Sequence, residues 1–396
     1  MRNGLNISGV SEIVHEIREN GAEAVIRFST STAVAGDRAE VTVGTAHHGT
    51  FRMARDFRLA LTGAEAADPG LTPVEAAAAA IGACVLITHV HGYSARGISL
   101  TSLGVRVTAT VPTDAAGRVA DPSAGLRDLR YDITVDAEAT EAALAQVTQF
   151  VTCFSPNHRA FLDAGDYDLS SVLVRPGGTA TSRPVPVTAP AATAPAAGEL
   201  TVVAELQWEY GTEAHVSTAV SPGIEARRAA PTLVVDQSKQ MLGIDRGPNP
   251  QEMLLTAISA ELALGLSALA RERGLPLSRI EVDGGGRLDI RGMMNVDPAV
   301  PARFHEIRFV VRCEADLDDD PDDDKVAALV TECAANSTLL AVLRRANTAD
   351  VRLRSPGAEI LTLRSDAAQV SAFIEQIVRQ QREQQAAAAR AGGDPA

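Results

Sequence analysis

Cys84, Cys153, Cys313 and Cys333 are the side chains of this 396-residue chain with nucleophilic or redox chemistry to offer. A thiolate attacks carbon, sulfur or a peroxide oxygen, and the sulfenic acid or disulfide it forms is reset by another thiol. The four are scattered, with no CxxC spacing, so no metal site is expected from them. Cys313, in the apolar segment FHEIRFVVRCE, reads as structural. His91 lies about 10 Å beyond Cys84 by helical rise, too far for a Cys–His dyad. Glu261 poses a different question. It sits inside the apolar run NPQEMLLTAISAELALGL, residues 249–266, where an unpaired carboxylate must neutralise or find a partner.

The elements that carry these residues occur twice. LTPVEAAAAAIGACVLITHV, from Leu71, has the pattern of GPNPQEMLLTAISAELALGL, from Gly247. Pro73 pairs with Pro250 and Glu75 with Glu252, and further downstream LRDLRYDITVD matches FHEIRFVVRCE with a one-residue slip. The match spans a length that chance does not supply, so the chain is a tandem duplication in which Glu261 falls opposite Cys84. Each copy reads as alternating strands, a long apolar helix opened by proline, more strands, a second helix and a closing strand. That order implies an α+β fold rather than a βαβ alternation. Thr72 and Asn249 precede the prolines as N-caps. The boundaries are 1–175 for copy one, a Pro/Ala-rich extended spacer over 176–198, 199–365 for copy two, and a helix-prone tail over 366–396.

The formal net charge of -14 repels phosphate backbones, and with aromatics at 4% there is little to stack on bases, so no nucleic-acid partner is expected. No continuous apolar stretch reaches the ~18–20 residues of a membrane span, and the first twenty residues carry acidic groups where a signal peptide needs an apolar core. A cytoplasmic protein without a membrane partner is the expectation, its thiols kept reduced. DLDDDPDDD, residues 316–324, lacks the glycine and terminal glutamate of a calcium loop and reads as a solvated acidic loop.

This pattern resembles the OsmC/Ohr family, the osmotically inducible and organic hydroperoxide resistance proteins. The resemblance rests on Pro73, Glu75 and Cys84 at the first helix, on Pro250, Glu252 and Glu261 at its repeat, and on Cys333 in ECAANSTLL as the family's second cysteine. It covers nearly the whole chain apart from spacer and tail. It implies two OsmC-like domains whose antiparallel sheets enclose long central helices, arranged as an intramolecular pseudo-dimer. It also implies a thiol peroxidase: Cys84 attacks an organic hydroperoxide, a second cysteine resolves the sulfenic acid, and a dithiol such as a lipoyl group resets the site. No cofactor beyond that external thiol is implied, and self-association is left open. An arginine from the early strands would activate Cys84, with Arg55 and Arg58 of MARDFRLAL as candidates, and Glu75 would hold it; Glu75 also reads simply as a helix-start carboxylate.

The chain departs from the family in both copies. Aligning CFSPNHRAF on Pro156 puts Ser155 at the second cysteine position, and Cys153 lies two residues earlier, rotated by about 200° on a helix. Either Cys153 resolves Cys84, or Ser155 faces it in a one-cysteine site with His158 and Arg159 as polar partners. In copy two, Glu261 beside Cys333 would disfavour a thiolate. That site is degenerate, or repurposed with Glu261 as base or ligand carboxylate. Two rival functions follow: a different cysteine- or carboxylate-dependent small-molecule reaction, and a non-catalytic binder of an apolar ligand.

Overall fold

A computed structural model describes residues 1–63, 66, 70–115, 119–175, 178, 180–186, 196–222, 228–229, 232–275, 277–297, 299–315 and 322–391. Copy one runs α1 (Ile7–Glu19), β1 (Val25–Ala35), β2 (Arg38–Val43), β3 (Ala46–His48), β4 (Phe51–Met53), β5 (Phe57–Thr62), α2 (Pro73–Ala95), β6 (Leu100–Thr113), β7 (Arg127–Ala137), α3 (Glu141–Phe154), α4 (Pro156–Leu162), β8 (Tyr167–Val174) and β9 (Ala180–Pro184). Copy two runs β10 (Gly198–Tyr210), β11 (Glu213–Pro222), β12 (Arg228–Ala229), β13 (Leu233–Val235), α5 (Pro250–Glu272), β14 (Leu277–Asp289), α6 (Ile290–Met293), β15 (His305–Ala315), α7 (Asp323–Ala335), α8 (Thr338–Arg344), β16 (Ala349–Ser355), β17 (Ala358–Ser365) and α9 (Ala367–Ala391).

Both central helices start where local chemistry dictates. The Thr72 side chain accepts from the Glu75 N–H, and Glu75 Oε2 accepts from the Thr72 N–H at 2.9 Å. Asn249 and Glu252 form the same reciprocal cap on α5. Proline follows each cap, where its missing N–H has no helical partner to lose. Apolar on nearly every face, the helices bury themselves against each other and between two sheets, α2 on β6, β10 and β11, α5 on β1, β2 and β14. Gly82 permits the approach of α2 to its sheet: a Cβ there would lie 2.5 Å from Leu206 and 2.6 Å from Val107.

Among the described residues the strands form two sheets, and each interleaves the copies. One runs β4-β3-β1-β14-β15-β8-β9, with β2 beside β1 and β5 beside β2; the other runs β12-β11-β10-β6-β7-β16-β17, with β13 beside β11. The β14–β15 hairpin of copy two is thus flanked by β1 and β8 of copy one, and the β6–β7 hairpin of copy one by β10 and β16 of copy two. The resulting layers, sheet, α5, α2, sheet, form the expected α+β pseudo-dimer.

Three expectations change. The sheets are not wholly antiparallel: β8 pairs parallel to β15 and β16 parallel to β7, where the strand that follows each copy's paired helices docks on the other copy's hairpin. The pseudo-dimer itself stands as expected, since neither copy completes a sheet alone. The spacer is shorter than its composition indicates. Residues 180–184 form β9 on β8, and 187–195 lie outside the described residues. Finally, α2 and α5 are long and apolar enough to cross a membrane by composition, with hydropathies of 1.6 and 1.8, although 83% and 67% of those windows are buried by the protein. Of the acidic run, residues 316–321 lie outside the described residues; Asp322 caps α7, and Asp323 pairs with Arg175 at 2.9 Å. The tail forms α9, whose Val370 is buried and whose Phe373, Ile374 and Ile377 pack on the core.

Candidate active site

Cys84 lies midway along α2, fully enclosed, where the start of α4 meets the start of α5. Its sulfur accepts the Asn157 backbone N–H at 3.4 Å and the Gln251 side-chain amide at 3.6 Å. Asn157 fixes this junction: its side-chain NH2 donates to Ala80 O (3.1 Å) and Pro250 O (2.8 Å), and its oxygen accepts from Gln251 at 3.2 Å. The Ser155 hydroxyl is near enough to favour the thiolate, without an aligned hydrogen bond. Burial nonetheless dominates and raises the Cys84 pKa, against the donors from Ser155, Asn157, Gln251 and His158 that lower it. In this closed arrangement Cys84 is a thiol. Gln251 comes from copy two, so the site is built across the repeat.

The two arginine candidates separate. Arg58 is exposed on the sheet surface, 4.0 Å from Asp56, and is removed as a site residue. Its alternation along β5 turns it to solvent. Arg55 precedes β5 and is buried. Its Nε and Nη2 donate to the two Glu252 oxygens at 2.9 and 2.8 Å, Nη2 also reaches Gly247 O at 3.1 Å, and Nη1 bonds Asp245. The carboxylate holding Arg55 is therefore Glu252 of copy two, next to Gln251. Glu75, its repeat equivalent, closes the α2 cap. The segment presenting Asp245 and Gly247 is folded around buried Asp236, which accepts from the amides of Ile244 and Arg246, both at 3.0 Å.

Cys153 is buried in α3 with the Thr152 hydroxyl 4.0 Å from its sulfur, and burial pushes it up to about 11. Among the described residues it is not one of the groups touching Cys84, and all four cysteines are free. Ser155 faces Cys84 instead, so the one-cysteine alternative describes the geometry. Arg159 is turned away, onto Asp163 at 2.6 Å and the Cys153 carbonyl at 3.1 Å. His158 is enclosed with both ring nitrogens engaged, by Tyr131 at 2.9 Å and Ser365 at 3.1 Å, and burial lowers it to about 3. His89 bonds Val85 O and Thr148, a satisfied core histidine.

Copy two corrects the alignment. Ser155 and Ser337 occupy the same place, each the N-cap of the short helix after the break. Cys333 lies four residues before Ser337, a full turn earlier, and so does not correspond to Ser155. Its thiol donates to Leu262 O at 3.4 Å, and burial with the Glu261 charge raises its pKa. Glu261 takes the place of the Cys84 sulfur. Its oxygens accept the Thr338 and Leu339 amides at 3.1 and 3.0 Å and bond the Ser337 hydroxyl. The carboxylate has found its partner: it caps α8. Burial raises it to about 7 despite these bonds. Cys313, packed in β15, is pushed up to about 12 by burial.

Sequence reasoning missed Asn157, Gln251, Tyr131 and Ser365. The first two carried a signal, polar residues directly after Pro156 and Pro250 at the mouths of otherwise apolar helices. Tyr131 and Ser365 lie in ordinary-looking strands.

The OsmC-like protein family model matches residues 64–167 and 243–352, more than half of the chain, and the chain belongs to that family. Among solved structures it is similar to an OsmC-like protein from Mycoplasma pneumoniae, at 22% identity over 32% of this chain and 82% of that one, with a TM-score of 0.25. It is also similar to an OsmC-like hydroperoxide resistance protein from Jannaschia sp. CCS1, at 17% identity over 40% of this chain and 99% of that one, with a TM-score of 0.23. No curated protein matches.

Proposed function

We propose that the protein reduces organic hydroperoxides with Cys84 as its single reacting cysteine and an external thiol as reductant. The observation that carries this reading is the set of donors already aimed at the Cys84 sulfur, the Asn157 amide and the Gln251 side chain, which stabilise the negative charge a thiolate carries. Sulfur attacks one peroxide oxygen, the O–O bond breaks, and the thiol proton leaves with the alcohol. The product is a Cys84 sulfenic acid. A reductant thiol condenses with it, releasing water and forming a mixed disulfide. A second thiol equivalent frees Cys84 and leaves as the oxidised disulfide. A dithiol such as dihydrolipoamide supplies both equivalents. Arg55, held one residue from Gln251, is the cation available to the site if it releases Asp245 or Glu252. A protein in reducing cytoplasm suits this chemistry.

The test is to trap the intermediate. One equivalent of cumene hydroperoxide followed by dimedone should label Cys84 and leave Cys153, Cys313 and Cys333 unlabelled by peptide mass spectrometry. No adduct at Cys84 would remove the reading. The binder alternative finds no ready-made chamber here: the cavity beside Cys84, lined by Val85, Tyr131, Thr148 and His158 among others, measures about 10 Å3, room for one water at most. Under that alternative the dimedone label would be absent, and an apolar ligand would raise Tm in the Cys84→Ser variant as much as in wild type.

A further inference from the structure

The His158 imidazole has an unusual setting for a residue adjacent to the reacting thiol. It is 1% exposed, and its two nitrogens are tied to different copies: Nδ1 to the Tyr131 hydroxyl of β7, Nε2 to the Ser365 hydroxyl at the end of β17. Tyr131 also meets the imidazole edge to face, at 5.3 Å between ring centroids and 70°. These two strands do not depend on His158 to meet. They are already joined through β16, which pairs parallel to β7 with Val351 opposite Tyr131 and antiparallel to β17 with Ala349 opposite Ser365. The side chain is therefore pinned to a rigid three-strand floor. Its backbone belongs to the first turn of α4, whose amides at Asn157 and His158 favour charge on the Cys84 sulfur.

We propose that His158 is a positioning residue: held at both nitrogens between Tyr131 of one copy and Ser365 of the other, it fixes the first turn of α4 on the Cys84 sulfur. Copy two thus controls the copy-one thiol from two sides, with Gln251 donating directly and Ser365 acting through His158. The comparison inside the molecule supports a role specific to copy one. The residue equivalent to His158 is Leu340, and there the short helix is held by the Glu261 carboxylate instead. A sulfur accepts at longer range and more weakly than a carboxylate, so the copy that keeps the thiol needs further anchors for its helix: the Asn157 side chain on Ala80 O and Pro250 O, and the imidazole on the strand floor. The neutral imidazole serves as anchor without placing a charge beside the sulfur. Among the described residues, Tyr131 and His158 are titratable groups beside that sulfur, and Arg159, the cation that acts on His158, is paired with Asp163.

The inference rests on Cys84 being the reacting thiol, and its test does not require turnover. Cysteine labelled with 13C at Cβ gives the Cys84 ionisation midpoint, assigned by its loss in Cys84→Ser. In His158→Ala the midpoint should rise by about one pH unit or more, a tenfold loss of thiolate at fixed pH. Ser365→Ala should move it the same way, and should add nothing on top of His158→Ala. His158→Gln, which can still reach Ser365, and His158→Asn, which can still reach Tyr131, should each restore part of the shift. Amide exchange decides the matter if Cys84 titrates too high to follow. The Asn157 amide should exchange about tenfold faster in His158→Ala and in Ser365→Ala, while the equivalent Leu339 amide, held by Glu261, stays unchanged. An unaltered midpoint and an unaltered Asn157 exchange in a folded His158→Ala or Ser365→Ala protein would overturn the proposal. So would independent, additive effects of the two substitutions. A wild-type protein without peroxidase turnover whose Cys84 or Asn157 nevertheless responds in this way would refute the functional reading and leave the brace standing.

Discussion

Replacing Arg55 by methionine isolates a buried, bidentate ion pair between the copies. Arg55 and Glu252 are buried to 1% and 0% side-chain exposure and share two hydrogen bonds of 2.9 and 2.8 Å. Removing the guanidinium strands the Glu252 carboxylate in a closed site, where the Asn249 amide at 2.8 Å is too little compensation. Breaking one partner of a buried pair costs about 3–5 kcal/mol. Because the sheets interleave, the chain should unfold as one unit. An unfolding entropy of ~2.1 cal/mol/K per residue then gives the 396-residue chain about 0.8 kcal/mol/K, so the loss corresponds to a fall in Tm of about 4–6 °C. Glu252→Gln alone should cost less, because the amide still caps α5 in part. The Arg55→Met/Glu252→Gln double variant should recover much of the Arg55→Met loss, since no charge is left unpaired. Calorimetry with urea denaturation as a second probe measures all three. An Arg55→Met loss below about 1 kcal/mol, or a double variant equal to the sum of the singles, would refute the reasoning. Two separate transitions would refute the interleaved fold itself.

Other perturbations have expected outcomes. Glu261 is held in the folded state at about 7, above its ordinary 4.5, so ionising it costs stability. That cost is absent below about pH 4.5, grows as the pH rises to 7 and is constant above; for a partly exposed group it amounts to ~1–2 kcal/mol. Relative to Glu261→Gln, wild type should therefore lose Tm between pH 5 and 7.5, and a flat difference would contradict the assignment. Gly82→Val should drive a side chain into Leu206 and Val107 and cost about 1–3 kcal/mol by urea denaturation. Thr72→Ala should cost ~1 kcal/mol through loss of the α2 cap, without altering the Cys84 ionisation.

The sequence made the local features plain because local chemistry determines them. Proline after Thr72 or Asn249, with glutamate three residues past the cap, specifies a helix start whatever surrounds it. The duplication showed Glu261 opposite Cys84, and the structure gives both the same place before a short helix. What stayed hidden depends on tertiary pairing. Nothing in the residues of β8 or β16 indicates that each docks parallel on the other copy's hairpin, since alternation fixes a strand's faces but not its neighbour. Residues 180–184 sit in a Pro/Ala-rich stretch, yet β8 offers an open edge and pairs with them. The second-cysteine register failed for a similar reason: the helix break, not the spacing of ECAANSTLL, sets the alignment, and Ser337 rather than Cys333 stands where Ser155 does. Gln251 and Ser365 reach the site only because the copies interleave.

We propose that copy one houses a single-cysteine peroxidase. The most direct measurement is cumene hydroperoxide consumption with dihydrolipoamide as reductant, in wild type, Cys84→Ser, Cys153→Ser and Cys333→Ser, all confirmed folded and reduced. Turnover should disappear with Cys84→Ser and persist with Cys153→Ser and Cys333→Ser. Absence of turnover in wild type, or turnover that survives Cys84→Ser, would contradict it.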